Sequence, residues 1–106
     1  MSRLIYYRSI SIFRLIMVNN TLKVFKALSD QTRIKILRKL VANDEVSCQE
    51  LMKYFPLSQS TLSHHFSKLV DSGILHARRD GVSHYYSVNK AYLTGLGIDI
   101  EKITKL

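Results

Sequence analysis

Ser58-Gln-Ser-Thr-Leu-Ser-His-His-Phe-Ser-Lys-Leu69 has two faces when wound as a helix. Leu62, Phe66 and Leu69 recur at helical spacing and face a core. Gln59, Ser60, Ser63, His64 and Ser67 fall on the other side. A plain solvated helix usually carries Lys and Glu there. A nearly uncharged face of short hydrogen-bonding groups instead fits close approach to donors and acceptors, such as base edges in a DNA groove.

The flanks of this stretch define its context. Leu57 and Leu62 make a hydrophobic staple around Ser58, a good N-cap, and Gly73 is a good C′ residue. Upstream, Ser47 and Glu50 form the S-x-x-E capping pattern, with Val46 and Leu51 as a second staple. That start predicts a helix from Ser47 to about Tyr54, and Phe55-Pro56-Leu57 is the turn after it. Two marked helices joined by a short turn are a helix-turn-helix. Downstream, Ile74–Arg79 and Val82–Val88 are short β-prone runs. Asp80-Gly81 between them predicts a two-residue hairpin turn, and a hairpin in this place is a wing.

Further out, Asp30 predicts the N-cap of a helix over 31–42, with Ile34, Leu37, Leu40 and Val41 as its apolar stripe. Leu22, Phe25 and Leu28 mark a helix over 21–29. Residues 89–106 return to a helical pattern through Tyr92, Leu93, Leu96, Ile100, Ile103 and Leu106, weakened at Gly95 and Gly97. The expected fold is mainly α with a small β-hairpin (α+β), a winged helix-turn-helix in which helices flank a two-stranded wing. The expected domain is 21–106, preceded by an extension over 1–20.

That extension is apolar but interrupted by Arg3, Arg8 and Arg14. It lacks the run of ~20 apolar residues needed to cross a bilayer, and the clean apolar centre of a signal peptide. Two readings stand: translation beginning at Met17, or an extra helix that packs on a partner subunit. Peripheral attachment to a membrane through a basic apolar helix is a less favoured third.

The 106 residues suit one domain, and the net charge of +8 favours a polyanionic partner. The charge is uneven. Residues 1–42 hold nine Lys or Arg and one acid, whereas residues 43–106 hold seven bases and seven acids. The candidate reading helix therefore lies in the neutral half, and basicity alone does not locate the contact. One Cys excludes an internal disulfide framework and fits a reducing cytoplasm.

From Phe25 to Asn89 the chain resembles the ArsR/SmtB family of bacterial winged-helix repressors. The matching pieces are Ala27–Leu37 (ALSDQTRIKIL), Ser47–Leu51 (SCQEL), Leu57–Phe66 (LSQSTLSHHF) with Leu69, Gly73-Ile74-Leu75, Arg78–Gly81 and Tyr85-Tyr86. The resemblance implies a homodimer on a roughly palindromic operator of double-stranded DNA. It implies an interface built from the first and last helices, here Leu22, Phe25, Tyr92, Leu96, Ile100 and Ile103. The family's base-reading positions fall on Gln59, Ser60, Ser63 and His64. Ser58, Thr61, Lys68, Arg78 and Arg79 are then expected on the DNA backbone or in the wing contact. His65, one step round the helix, is expected to be structural.

Many relatives in that family release DNA on binding a metal. Where one type carries Cys-x-Cys, this chain has Ser47 and Gln49; where another carries Asp-x-His, the last helix has no His. No metal site, no cofactor and no inducer is assigned. Cys48 reads as core packing, with a thiol-based redox regulator as an alternative. A winged-helix module that contacts protein instead of DNA would want an apolar or acidic reading face. An enzyme would want a nucleophile–base motif, a Gly-rich phosphate loop or a carboxylate pair, and none is present.

Overall fold

A computed structural model describes residues 3–105, with side chains described from residue 11 onward. The elements in order are α1 (Arg3–Leu28), α2 (Gln31–Val41), β1 (Val46–Ser47), α3 (Cys48–Met52), α4 (Gln59–Asp71), β2 (Leu75–Asp80), β3 (Ser83–Val88), α5 (Lys90–Gly95) and α6 (Ile100–Thr104). Helices surround a three-stranded antiparallel sheet in the order β1-β3-β2. The expected winged helix-turn-helix is present.

The core forms where α2, α4 and the sheet converge. Ile36, Leu37 and Leu40 of α2 meet Leu51 of α3 and Leu62, Phe66 and Leu69 of α4, all fully or almost fully buried. Ile36 was not in the expected stripe, which named Ile34; Ile34 is only half-buried. The Phe66 ring stacks on Tyr86 of β3 with centroids 4.1 Å apart and 13° between planes, joining reading helix to wing.

The caps work as their residue types dictate. The Asp30 carboxylate accepts from Arg33 N–H, the Ser47 hydroxyl from Glu50 N–H and the Ser58 hydroxyl from Thr61 N–H. At the other end of α4, Gly73 takes φ +84° and hands the chain into β2.

Four boundaries differ from expectation. α1 runs unbroken from Arg3, so 21–28 are the last two turns of a helix of 26 residues, about 39 Å long. α3 stops at Met52, because Lys53 and Tyr54 already bond three residues back, to Glu50 and Leu51. The hairpin turn is Gly81-Val82, one residue later than Asp80-Gly81, since Asp80 pairs with Ser83. Gly81 at φ +61° comes first and Val82 keeps an ordinary backbone, the pattern of a type II′ turn. The last helix is two short ones. Gly97 at φ +79° breaks it, and Asp99 restarts it by accepting from Lys102 N–H.

The sheet also has a strand beyond the two of the wing. β1 pairs Val46 with Tyr86 and Ser47 with Tyr85. Ser47 is therefore both a strand residue and the N-cap of α3.

Candidate nucleic-acid interface

α4 divides as its sequence requires. Leu62 and Leu69 are 0% exposed and Phe66 is 1%, whereas Gln59, Ser60, Thr61, Ser63, His64, Ser67 and Lys68 are all exposed. The four expected readers, Gln59, Ser60, Ser63 and His64, share one outward surface. Of these, only Ser60 has a side-chain hydrogen bond, with the Ser58 hydroxyl at 3.2 Å. The readers are thus short polar groups on a rigid helix, open to an incoming partner.

Ser58 and Thr61 sit at the N-terminus of α4. The Ser58 hydroxyl accepts from Thr61 N–H at 3.2 Å and donates to Thr61 Oγ1 at 2.9 Å. Both are exposed, at the positive end of the helix where backbone N–H groups favour a phosphate.

His65 lies beneath the reading face. Its Nδ1 is 3.3 Å from Arg33 Nη1 and 4.0 Å from Asp30 Oδ1. A guanidinium has only donors, so this contact leaves Nδ1 as the acceptor. Arg33 also donates from Nε to the Ala27 carbonyl at 2.7 Å. The cluster ties α1, α2 and α4 together and holds the Asp30 carboxyl below the usual range. The Arg33 N–H bond is the main cause; partial burial opposes it, and the Arg33 charge and the Thr32 N–H give smaller help.

The wing carries the other expected contacts. Arg78 is already engaged: Nη2 and Nε donate to the two Glu45 oxygens at 2.7 and 3.0 Å, and the guanidinium lies 4.6 Å from the Tyr85 ring centroid. This bidentate bond lowers the Glu45 pKa and raises that of Arg78. Arg79 folds back to the Gly81 carbonyl, Nε to O 3.0 Å. Arg78 therefore braces the wing against the β1 loop, and Glu45, read from sequence only as part of a polar break, is its partner. Between α4 and the wing lies an open groove of about 280 Å³, lined by Gln59, Ser63 and Ser67 on one side and Ser83 and His84 on the other. Gln49 reaches it from α3. Neither Gln49 nor His84 was named as a contact from sequence, because each lies on a different element from the readers.

The residues expected at a subunit interface divide. Leu22 and Phe25 are about half exposed on α1, and Tyr92, Leu96 and Ile103 are partly covered. Ile100 is a correction. It is 4% exposed, inside the protomer's own core, because the restart at Asp99 turns the first residue of α6 inward. It has almost no surface to offer a second subunit.

Residues 30–77 match the family model described as bacterial regulatory protein, arsR family. The arsenical resistance operon repressor of Staphylococcus aureus is 41% identical over 70 residues, 66% of each chain. The same-named repressor of Staphylococcus xylosus is 35% identical over 80 residues, 76% of each chain. The chain belongs to the ArsR family. Among solved structures, HlyU from Vibrio cholerae superposes with a TM-score of 0.69 at 27% identity, covering 83% of this chain and 91% of that one. This ArsR-family protein is a DNA-binding transcriptional repressor and not an enzyme.

The metal chemistry named for several relatives does not fit the residues here. Cys48 is 8% exposed, and burial pushes its thiol pKa up, away from the thiolate a metal or an oxidant would need. Of the residues lining the groove beside it, only His84 adds a metal-binding side chain. Among the described residues, no three His, Cys, Asp or Glu side chains are grouped to hold an ion. Nor, among them, is any helix long and apolar enough to cross a membrane.

Proposed function

We propose that this ArsR-family repressor works as a homodimer on a roughly palindromic operator. One α4 from each subunit enters successive major grooves about one helical turn apart. Gln59, Ser60, Ser63 and His64 read base edges: the Gln59 amide suits adenine, and the two serines permit close approach. Ser58, Thr61 and Lys68 serve the phosphates, Arg79 does so from the wing, and Arg78 holds the wing in place through Glu45. The N-terminal helix supplies a dimer surface through Leu22 and Phe25, aided by Tyr92, Leu96 and Ile103. As a regulator of genes, the protein acts in the cytoplasm.

The observation that carries this reading is the division of α4. One face buries Leu62, Phe66 and Leu69, while the other presents four exposed polar side chains, none of them in a salt bridge among the described residues. A protein-docking face would bear apolar or acidic groups there. The test is anisotropy titration of Ser63→Ala/His64→Ala against operator and random duplexes. Loss of two readers lowers operator affinity by roughly tenfold or more and leaves random-sequence affinity nearly unchanged. Equal loss on both duplexes would remove them as readers.

A further inference from the structure

A second concavity lies behind the reading face. It is a cleft of about 560 Å³ between the last turns of α1, the start of α2 and the C-terminal half of α4. Lys23 and Lys26 line it from α1, Arg33 from α2, and Lys68 and Asp71 from α4. Four cations face one carboxylate. Asp30, the only acid among residues 1–42, is already held by Arg33 and lies near His65. Among the described residues, none of Lys23, Lys26 and Lys68 is in a salt bridge.

The donors identify the class of ligand. Arg33 is the one guanidinium present, and it is committed. Nε donates to the Ala27 carbonyl, Nη1 meets His65, and Nη2 reaches the Lys26 carbonyl. No planar fork remains for a carboxylate. What remains is three lysine ammonium groups, point charges that suit a compact, multiply charged anion. The volume exceeds that of a bare ion and falls in the range of small-molecule sites. We propose that this cleft binds a small phosphate-bearing ligand, held by Lys23, Lys26 and Lys68, with Arg33 forming the back wall. An occupant would bridge α1 and α4, the helix proposed for dimer contact and the helix that reads DNA.

The site shares Lys68 with the proposed phosphate contacts but none of the four readers on α4, so it is tested without DNA. Inorganic pyrophosphate is titrated into the full chain by calorimetry at fixed ionic strength. One site per protomer is expected. Lys23→Gln and Lys26→Gln, both exposed and outside the core, should each weaken binding by roughly tenfold. Lys35→Gln, on an exposed turn of α2 away from the cleft, should leave it unchanged. No saturable binding would overturn the proposal, as would an equal loss in Lys35→Gln, which indicates diffuse attraction only. A third overturning result is weaker operator binding with a flatter salt dependence in the Lys23 and Lys26 variants and no pyrophosphate site; the cleft then belongs to the DNA backbone.

Discussion

α4 and α1 make opposite use of their apolar residues. α4 has 13 residues, a capped start, a Gly-assisted stop, and three large apolar side chains that are all buried. α1 is twice as long, yet residues 11–20 are exposed throughout, including Ile12, Phe13, Leu15 and Ile16 at 52–63%. Among the described side chains of α1, only Val24 and Ala27 are buried in the core. One helix is complete within the protomer. The other presents more apolar surface than the protomer covers, and a patch of that kind marks a surface with a partner.

The sharpest way to break this contrast is in α4. Phe66→Ala removes a ring that is 1% exposed and stacked on Tyr86, and should lower unfolding free energy by about 3–5 kcal/mol in urea melts. A loss below ~1 kcal/mol would mean that α4 is not anchored as described. Gly73→Ala comes next. It forces a side chain onto φ +84° and brings the new methyl within 2.8 Å of the Tyr92 ring. About 2 kcal/mol is expected, read as a drop in melting temperature. Ser58→Ala removes the N-cap of α4 at about 1 kcal/mol, and Ser58→Gly should recover most of it.

Two smaller effects probe the junction and the bare helix. The Asp30 carboxyl titrates below its ordinary value of 3.8. The unfolded chain therefore takes up this proton first on acidification. Its stabilisation is complete above pH 3.8 and fades as pH falls through the lowered folded value. Asp30→Asn keeps a cap but loses the charge. It should cost about 0.5 kcal/mol at neutral pH, a figure held down by solvent around a carboxylate that is a third exposed. That gap should close in melts run below the folded pKa. Phe13→Ser is expected to cost least, under about 0.5 kcal/mol in dilute protein where α1 is uncovered. A cost several times larger, growing with protein concentration, would show that a second chain covers it.

What was legible in the sequence follows the range of the interactions. α2, α4 and the start of α3 were readable because caps, staples and periodicity act within one turn. The hairpin was readable but off by one residue. Asp80-Gly81 is a strong turn pair, yet Gly81 alone supplies the left-handed backbone and the pairing of Asp80 with Ser83 overrode the dipeptide. β1 was invisible, because two residues have no periodicity and exist as a strand only through Tyr85 and Tyr86, some forty positions away. The resemblance implies Ile100 at the interface through the last helix, but the break at Gly97 and restart at Asp99 turn it into the core. At the site, the face of α4 was legible because it is one helix's own pattern. Glu45, Gln49 and His84 were not, since their place depends on how separate elements meet.

The two-residue strand has a mechanical consequence. Its pairing with β3 fastens the wing to the first turn of α3, Glu45 clamps Arg78 alongside, and Tyr86 on the same strand stacks on Phe66 of α4. Wing, support helix and reading helix are thereby cross-braced at three points, like the jaw of a caliper cut from one piece. Such a jaw keeps its gape when it meets DNA and has little conformational freedom left to lose there.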